Sequence, residues 1–478
     1  MQKEQYEKIK TQVEKNIREH AIPWLKKFIN IPNTSRNFDL EFSTNGLIQQ
    51  ACNLNIEYAE YMKVAGLEVK LYQDPGKTPV VFGTIAATKQ TGVKDIMVYG
   101  HIDKQPHQTE QWREGLHPFK AVEENGLLYG RGGVDDGYNF FTVVAIIKSL
   151  QELNIPHDRY VLFYETDEES ASIDIPYYLE KFKDVIKQPN AMFCLDACTI
   201  SKDIFSITTT LRGCCNFDLK VKVLEKSMHS GVGTGIVPST FRILRHLLDR
   251  IECPKTGKII DQLQVEIPHD KMDQAVHCSK IQGEGVFNSF CLCQGVKPVS
   301  DNVEELYLNN IWRSQLEIIG QKGIPDLETC GNVLRNETTF RCSLRLPPTL
   351  EGDKAFKTIH DLLTKDPPYG AKVEVTLANT GTGWSSNEFP NKVMEILDRH
   401  NQEIFGTKTL MYGCGGSIPF IKTLQDNLPN TLLFVSGVVL PDSMMHGPNE
   451  RIDLEYLIKF SKSLTCFLVD YCELPETK

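Results

Sequence analysis

The chain has 478 residues, 41% hydrophobic and 24% charged, which is the composition of an ordinary folded protein and excludes a disordered or fibrous one. That length exceeds the roughly 250–300 residues at which one core stops growing, so two domains are expected, with three as the alternative. A net charge of −10 offers nucleic acid no electrostatic partner, the charged first residues lack an apolar leader, and no apolar run is long enough to cross a bilayer. A cytoplasmic protein without nucleic-acid or membrane partners is the expectation. The 14 cysteines are scattered with no Cys-x-x-Cys pair; Cys194 and Cys198 flank Asp196, and Cys214 and Cys215 are adjacent. They read as reduced thiols, not as a structural zinc site.

Taken in chain order, Glu4 to Phe28 carries apolar residues at helical spacing, with Pro23 as a kink or boundary. Asn45 to Ala65 is a second predicted helix. Asp95-Ile-Met-Val-Tyr-Gly is a strand that runs into His101-Ile-Asp103. Phe140 to Leu150 is a helix buried on a broad face. Arg159-Tyr-Val-Leu-Phe-Tyr is a strand that runs into Glu165-Thr-Asp-Glu168-Glu169, and Ala191-Met-Phe-Cys-Leu one that runs into Asp196. Strand–helix alternation to about Thr210 predicts a largely parallel or mixed sheet covered by helices.

The middle of the chain follows another pattern. Asn216-Phe-Asp-Leu-Lys-Val-Lys-Val, Thr338 to Leu346 and Lys372 to Leu377 alternate apolar and polar residues, as strands with one wet face do. Pro238 to Ile251 is a predicted helix between them. Residues 211–383 therefore read as an inserted α+β domain with an antiparallel sheet. Strand–helix alternation returns in 384–478, where Thr431-Leu-Leu-Phe-Val leads to His446. The fold class is α/β, with a discontinuous first domain (1–210 and 384–478) interrupted by the insert.

The acidic and histidine residues follow the ends of predicted strands, which is where open α/β sheets bind ligands. Two histidines with several carboxylates suit a divalent metal and hydrolytic chemistry. Singly, each residue has a plainer reading. Asp135 and Asp136 precede a helix and could only cap it. Glu165 to Glu169 could be a solvated acidic loop, and Arg345 on an alternating strand could point to water.

Seven pieces occur together: His101-Ile-Asp103, Gly130-Arg-Gly-Gly-Val-Asp135-Asp136, Glu168-Glu169, Asp196, Met228-His229-Ser230-Gly231, Gly415-Gly-Ser417-Ile-Pro419 and His446-Gly-Pro-Asn-Glu450. In this order they resemble the M20 family of dinuclear zinc peptidases, and the length and large insert are most similar to its cytosolic, carnosinase-like dipeptidase branch. The resemblance implies two divalent ions, zinc foremost and manganese as the other candidate. Asp135 would bridge them, His101 and Asp196 would hold one, and Glu169 and His446 the other. It implies Glu168 as the general base toward a water between the ions, with Asp103 supporting the site. His229 would stabilise the oxyanion from the partner subunit of a homodimer formed by the insert, a lid and dimerisation domain. Arg345, Ser417 and Gly416 would hold the free C-terminal carboxylate of a dipeptide or short peptide, and Asn332 would be a further substrate contact.

Two positions depart from the family pattern: Gly137-Tyr138 stands where Lys-Gly is usual, and the Asn332-Val-Leu-Arg335 run lacks a proline. An N-acyl amino-acid or succinyl-diaminopimelate-type deacylase shares the same core and is the runner-up; those are shorter. A non-catalytic binding relative would be expected to have lost Asp135, Glu168 or His446, and all three are present.

Overall fold

In the computed structural model, which describes residues 2–288, 290 and 292–475, the chain divides into two units. Unit 1 comprises Met1–Thr208, Asn387–Met411 and Thr423–Lys478, and unit 2 comprises Thr209–Ser386 and Tyr412–Lys422.

Apolar runs build the sheet of unit 1, in the spatial order Leu67–Tyr72, Val80–Ile85, Arg159–Glu165, Asp95–His101, Ala191–Cys194, Leu432–Val435. The first two pairings are antiparallel and the other three parallel. The parallel strands are buried almost throughout, as strands covered on both faces must be. Register matters most for the site. His101 pairs with Glu165, Tyr99 with Cys194 and Cys194 with Val435, so all four parallel strands end along one edge.

Helix Tyr138–Glu152 is buried nearly all round. Its Phe141, Val144 and Ile147 pack in one core with Val98, Leu162, Phe193 and Phe434 of the sheet and with Leu457, Phe460 and Phe467 of helix Leu454–Glu473. Each such side chain contributes about 1.5–3 kcal/mol on burial. The first predicted helix is Lys3–Asn16, a wide π-helical turn at Ile17–Ala21, then Ile22–Ile29. Pro23 lies in the first turn of that last piece, directly after the wide turn, a usual place for a proline-associated irregularity in a helix. The second predicted helix is shorter than expected, Leu47–Met62, and stops where Lys63 turns left-handed at φ 49°. No helix among the described residues is long and apolar enough to cross a membrane.

Unit 2 carries a four-stranded antiparallel sheet in the order Gln315–Lys322, Glu337–Leu346, Gly213–Lys222, Lys372–Gly381. Burial alternates strictly along Gly213–Lys222. Its inward residues Phe217, Leu219 and Val221 pack with Phe340, Cys342 and Leu344 against Ile243, Leu244 and Leu247 of helix Thr240–Leu248 and Ile359 and Leu363 of helix Gly352–Thr364. Ser239 caps the first of these helices by accepting from the Arg242 N–H at 3.4 Å. Helices His269–Gln282 and Val303–Ile311 carried no expectation from the sequence.

Unit 2 runs over Thr209–Ser386, against the expected 211–383, and also takes in Tyr412–Lys422, which the sequence places with 384–478. Several bonds tie this segment to unit 2: Arg212 donates through Nε to the Gly415 carbonyl at 3.0 Å, its backbone N–H donates to the Gly416 carbonyl at 3.1 Å, and the Tyr307 phenol donates to the Gly413 carbonyl at 3.2 Å.

Candidate metal centre

The strand edge of unit 1 collects the predicted ligands. His101 is the last residue of its strand and is buried. Its Nε2 lies 3.1 Å from Asp135 Oδ1 and 3.6 Å from Asp196 Oδ2. His446 Nε2 lies 2.9 Å from Asp135 Oδ2 and 3.5 Å from Glu169 Oε2. Each oxygen of Asp135 thus faces a different histidine, the arrangement a bridging carboxylate requires. Two donor groups, His101–Asp135–Glu169 and His101–Glu168–Asp196, each fall within 4.8 Å.

Asp135 and Asp136 are not the cap of the following helix, whose N-cap is Gly137 with no side-chain cap hydrogen bond. The peptide between the two aspartates is cis. Asp136 turns to the framework instead, its Oδ2 accepting from Asn139 Nδ2 at 2.8 Å and from the His101 N–H at 3.3 Å. Gly100 makes room for this: a Cβ there would lie 2.5 Å from Asp136 Oδ2 and from Asn139 Nδ2.

Asp103 lies beyond the strand's end, yet its carboxylate returns to the ligands. The His101 Nδ1 lies 3.0 Å from the Asp103 carbonyl and 3.5 Å from its Oδ1. The same carboxylate accepts from the N–H of Glu168 at 3.2 Å and of Glu169 at 3.1 Å. One aspartate therefore orients an imidazole and the acidic pair together, as supporting groups behind metal ligands do.

The electrostatics favour cations. Burial first, then the Asp135 and Glu168 charges, push the Glu169 carboxyl well above its ordinary range. Burial, with Asp196 and Asp135 adding to it against His101, does the same to Glu168. Burial also raises Asp196, against the His101 hydrogen bond. Burial alone would lower His101, but Asp103, Asp135 and Asp196 hold it well above its usual value. Glu169 Oε1 is buried without a hydrogen-bond partner, a costly state for a polar atom unless an ion takes it up. Imidazole and carboxylate donors with orphaned lone pairs fit divalent ions of the zinc or manganese kind.

Four residues at the site have no role in the sequence analysis. Gln105 Nε2 donates to Glu169 Oε2. Tyr138, at the departure from the family pattern, donates its phenol to the Leu195 carbonyl beside Asp196. Arg131 and Glu450 form a buried ion pair at 2.6 Å. The last two residues stood inside quoted motifs, which was the available signal; nothing marked Gln105.

The remaining predicted residues lie in unit 2. Arg345 Nη1 donates to Ser417 Oγ at 2.9 Å. Arg212 is 7% exposed, and burial and then the neighbouring Arg345 charge push its guanidinium down to about 10. Neither arginine has a carboxylate partner among the described residues, so this corner of unit 2 favours an anion. Gly416 is exposed, and its N–H donates to Cys414 Sγ at 3.4 Å. His229 pairs with Val333 in a short ladder, and the Asn332 carbonyl accepts from the Ser230 N–H at 2.9 Å. The His229 ring is exposed, and its Nδ1 accepts from the Gly231 N–H at 3.0 Å. That bond places the ring proton on Nε2, the tautomer that can donate to a developing oxyanion.

Buried histidine and carboxylate donors at the C-terminal edge of a parallel sheet define a metal-dependent hydrolase. Comparison with known proteins gives the family: residues 97–470 match Peptidase family M20/M25/M40, and the chain belongs to it. It is 25% identical to the Cys-Gly metallodipeptidase DUG1 of Saccharomyces cerevisiae, over 80% of each chain. It is 24% identical to the Beta-Ala-His dipeptidase of Rattus norvegicus, over 79% of this chain and 77% of that one. The fold matches the solved structure of Dug1p from Saccharomyces cerevisiae with a TM-score of 0.77 and 22% identity, covering 98% of this chain and 99% of that one. Human carnosine dipeptidase 1 matches with a TM-score of 0.76 and 21% identity, over 98% and 99% of the two chains.

Proposed function

We propose that this protein is a cytoplasmic, homodimeric metal-dependent dipeptidase that takes substrates with a free C-terminal carboxylate. The observation that carries the reading is Asp135, whose two oxygens face His101 and His446 separately. Two ions are proposed, one held by His101 and Asp196, the other by Glu169 and His446, with Asp135 shared. When bound, divalent ions supply Lewis acidity and lower the pKa of nearby water. Glu168 accepts the proton of the attacking water and returns it to the leaving amine. The His229 Nε2–H, reaching a neighbouring subunit, stabilises the oxyanion. Arg345 and Ser417 grip the substrate carboxylate, because a guanidinium fork matches its two oxygens, with Gly416 and Asn332 as further substrate contacts. Zinc is the favoured ion, with manganese compatible with the same donors. Cys52, Cys194, Cys215, Cys342 and Cys466 are buried free thiols, which suits a reducing compartment. The dipeptidase names of the curated relatives favour this reading over an acyl-amino-acid deacylase.

The test compares kcat/KM for a dipeptide, its C-terminal amide and an N-acyl amino acid, in the native chain and in Arg345→Ala. The native enzyme should prefer the free-acid dipeptide, and Arg345→Ala should erase about 1.5–3 kcal/mol of that preference. Equal cleavage of acid and amide by the native chain overturns the exopeptidase reading. The subunit arrangement is checked by mixing Glu168→Gln with His229→Ala. Proven mixed dimers should regain one working site out of two; inactive mixed dimers refute action in trans.

A further inference from the structure

We propose that the buried Arg131–Glu450 ion pair is the positioning device of the His446 half of the site, and that it sets the affinity of the ion held there. The inference rests on the two-ion reading above.

Arg131 is 1% exposed and Glu450 0%. Arg131 Nη1 meets Glu450 Oε2 at 2.6 Å, and its Nη2 donates to the Gly447 carbonyl at 2.9 Å, one residue after His446. The other Glu450 oxygen accepts from the Val134 N–H at 3.4 Å, one residue before Asp135. The Glu450 carbonyl accepts from the Gly130 N–H at 3.0 Å. Arg451 then pairs with Tyr129 in an antiparallel ladder. The pair thus joins the segment carrying the bridging aspartate to the loop carrying His446.

The two histidines are held in different ways. His101 ends a buried strand and is gripped by Asp103. His446 lies in a loop whose Met444, His446 and Asn449 take left-handed φ values of 56°, 62° and 62°, a region that side-chain-bearing residues enter reluctantly. Its side chain is 48% exposed, so packing does little to fix it. The loop is held from outside: Gln108 Nε2 donates to the His446 carbonyl at 3.1 Å, the Arg113 N–H donates to Asn449 Oδ1 at 2.7 Å, and Arg131–Glu450 is the buried ion pair among these anchors. A buried ion pair is a poor device for stability alone, since apolar replacements of similar size often serve as well. Its place at this junction therefore points to geometry. Losing it should weaken the His446-side ion more than the His101-side ion.

The experiment counts zinc ions per chain, by elemental analysis at a series of chelator-buffered free zinc concentrations. It uses the native chain, Arg131→Lys, Glu450→Gln and the double variant Arg131→Met/Glu450→Leu, which leaves no charge unpaired if a single variant misfolds. Thermal melting confirms the fold of each. One ion should bind about 10–100-fold more weakly in Glu450→Gln and in the double variant, the usual loss when a group orienting a ligand is removed. Arg131→Lys, which keeps the charge but not the fork, should fall between. His446→Ala marks which ion is lost; adding Glu450→Gln to it should cost no further affinity, because the two changes act on one ion. A folded double variant that holds both ions with native affinity overturns the inference alone, as does equal weakening of both. A native chain that binds fewer than two ions overturns the two-ion reading, and this inference with it.

Discussion

Glu168→Gln should keep the native ion content and lower kcat by ~10²–10⁴-fold, the usual loss when a general base is removed. Glu168 is held by its backbone, whose N–H donates to Asp103 Oδ1, so replacing the carboxylate with an amide of equal shape leaves that anchor intact. The amide cannot accept a proton from water or return one to the leaving amine. Glu168 also falls within one of the two donor groups, with His101 and Asp196, which makes ion content the deciding control. Elemental analysis beside steady-state kinetics separates the two roles. A loss of one ion would make Glu168 a ligand, and near-native kcat with full ion content would refute the base.

Removing the ions, or the carboxylate between them, should cost still more. Chelation should abolish turnover, and zinc or manganese should restore it. Asp135→Asn should lose ions and lower kcat/KM by about a thousandfold or more, equal to several kcal/mol of charge stabilisation in the transition state. Burial would raise the Asp135 pKa, but the His101 and His446 hydrogen bonds overturn that and hold its carboxyl well below the usual range. An amide keeps the shape and lacks the charge that faces both imidazoles. Ion content and rate should fall together in this variant, in contrast to Glu168→Gln. Activity in a verified ion-free sample refutes the metal chemistry as a whole.

Much of this was legible in the residues. Apolar runs at Asp95, Arg159, Ala191 and Thr431 announce strands, and the ligand-type residues follow their ends. The period-two alternation of Asn216 to Val223 separates the second unit from the first, because one wet face writes itself directly into the sequence. Spacing within a run is a local property, and local properties can be read from neighbours in the chain.

Other features were decided only by tertiary packing. The parallel register that sets His101 beside Glu165 and Tyr99 beside Cys194 comes from how covered strands settle against the helices. Fully buried strands carry no alternation to fix their alignment from sequence. Asp103 reaches back to His101 after the strand has ended, a contact between side chains that no pattern along the chain displays. Residues 412–422 join the second unit, where residues far away in the chain bond to them, Arg212 to the Gly415 carbonyl and Tyr307 to the Gly413 carbonyl. Arg131 and Glu450 stood in view as motif letters, but their pairing is a contact between distant segments. The sequence by itself determined which chemistry is present and on which elements it rides. The structure decided which groups meet, because a contact between remote residues depends on the packing of everything between them.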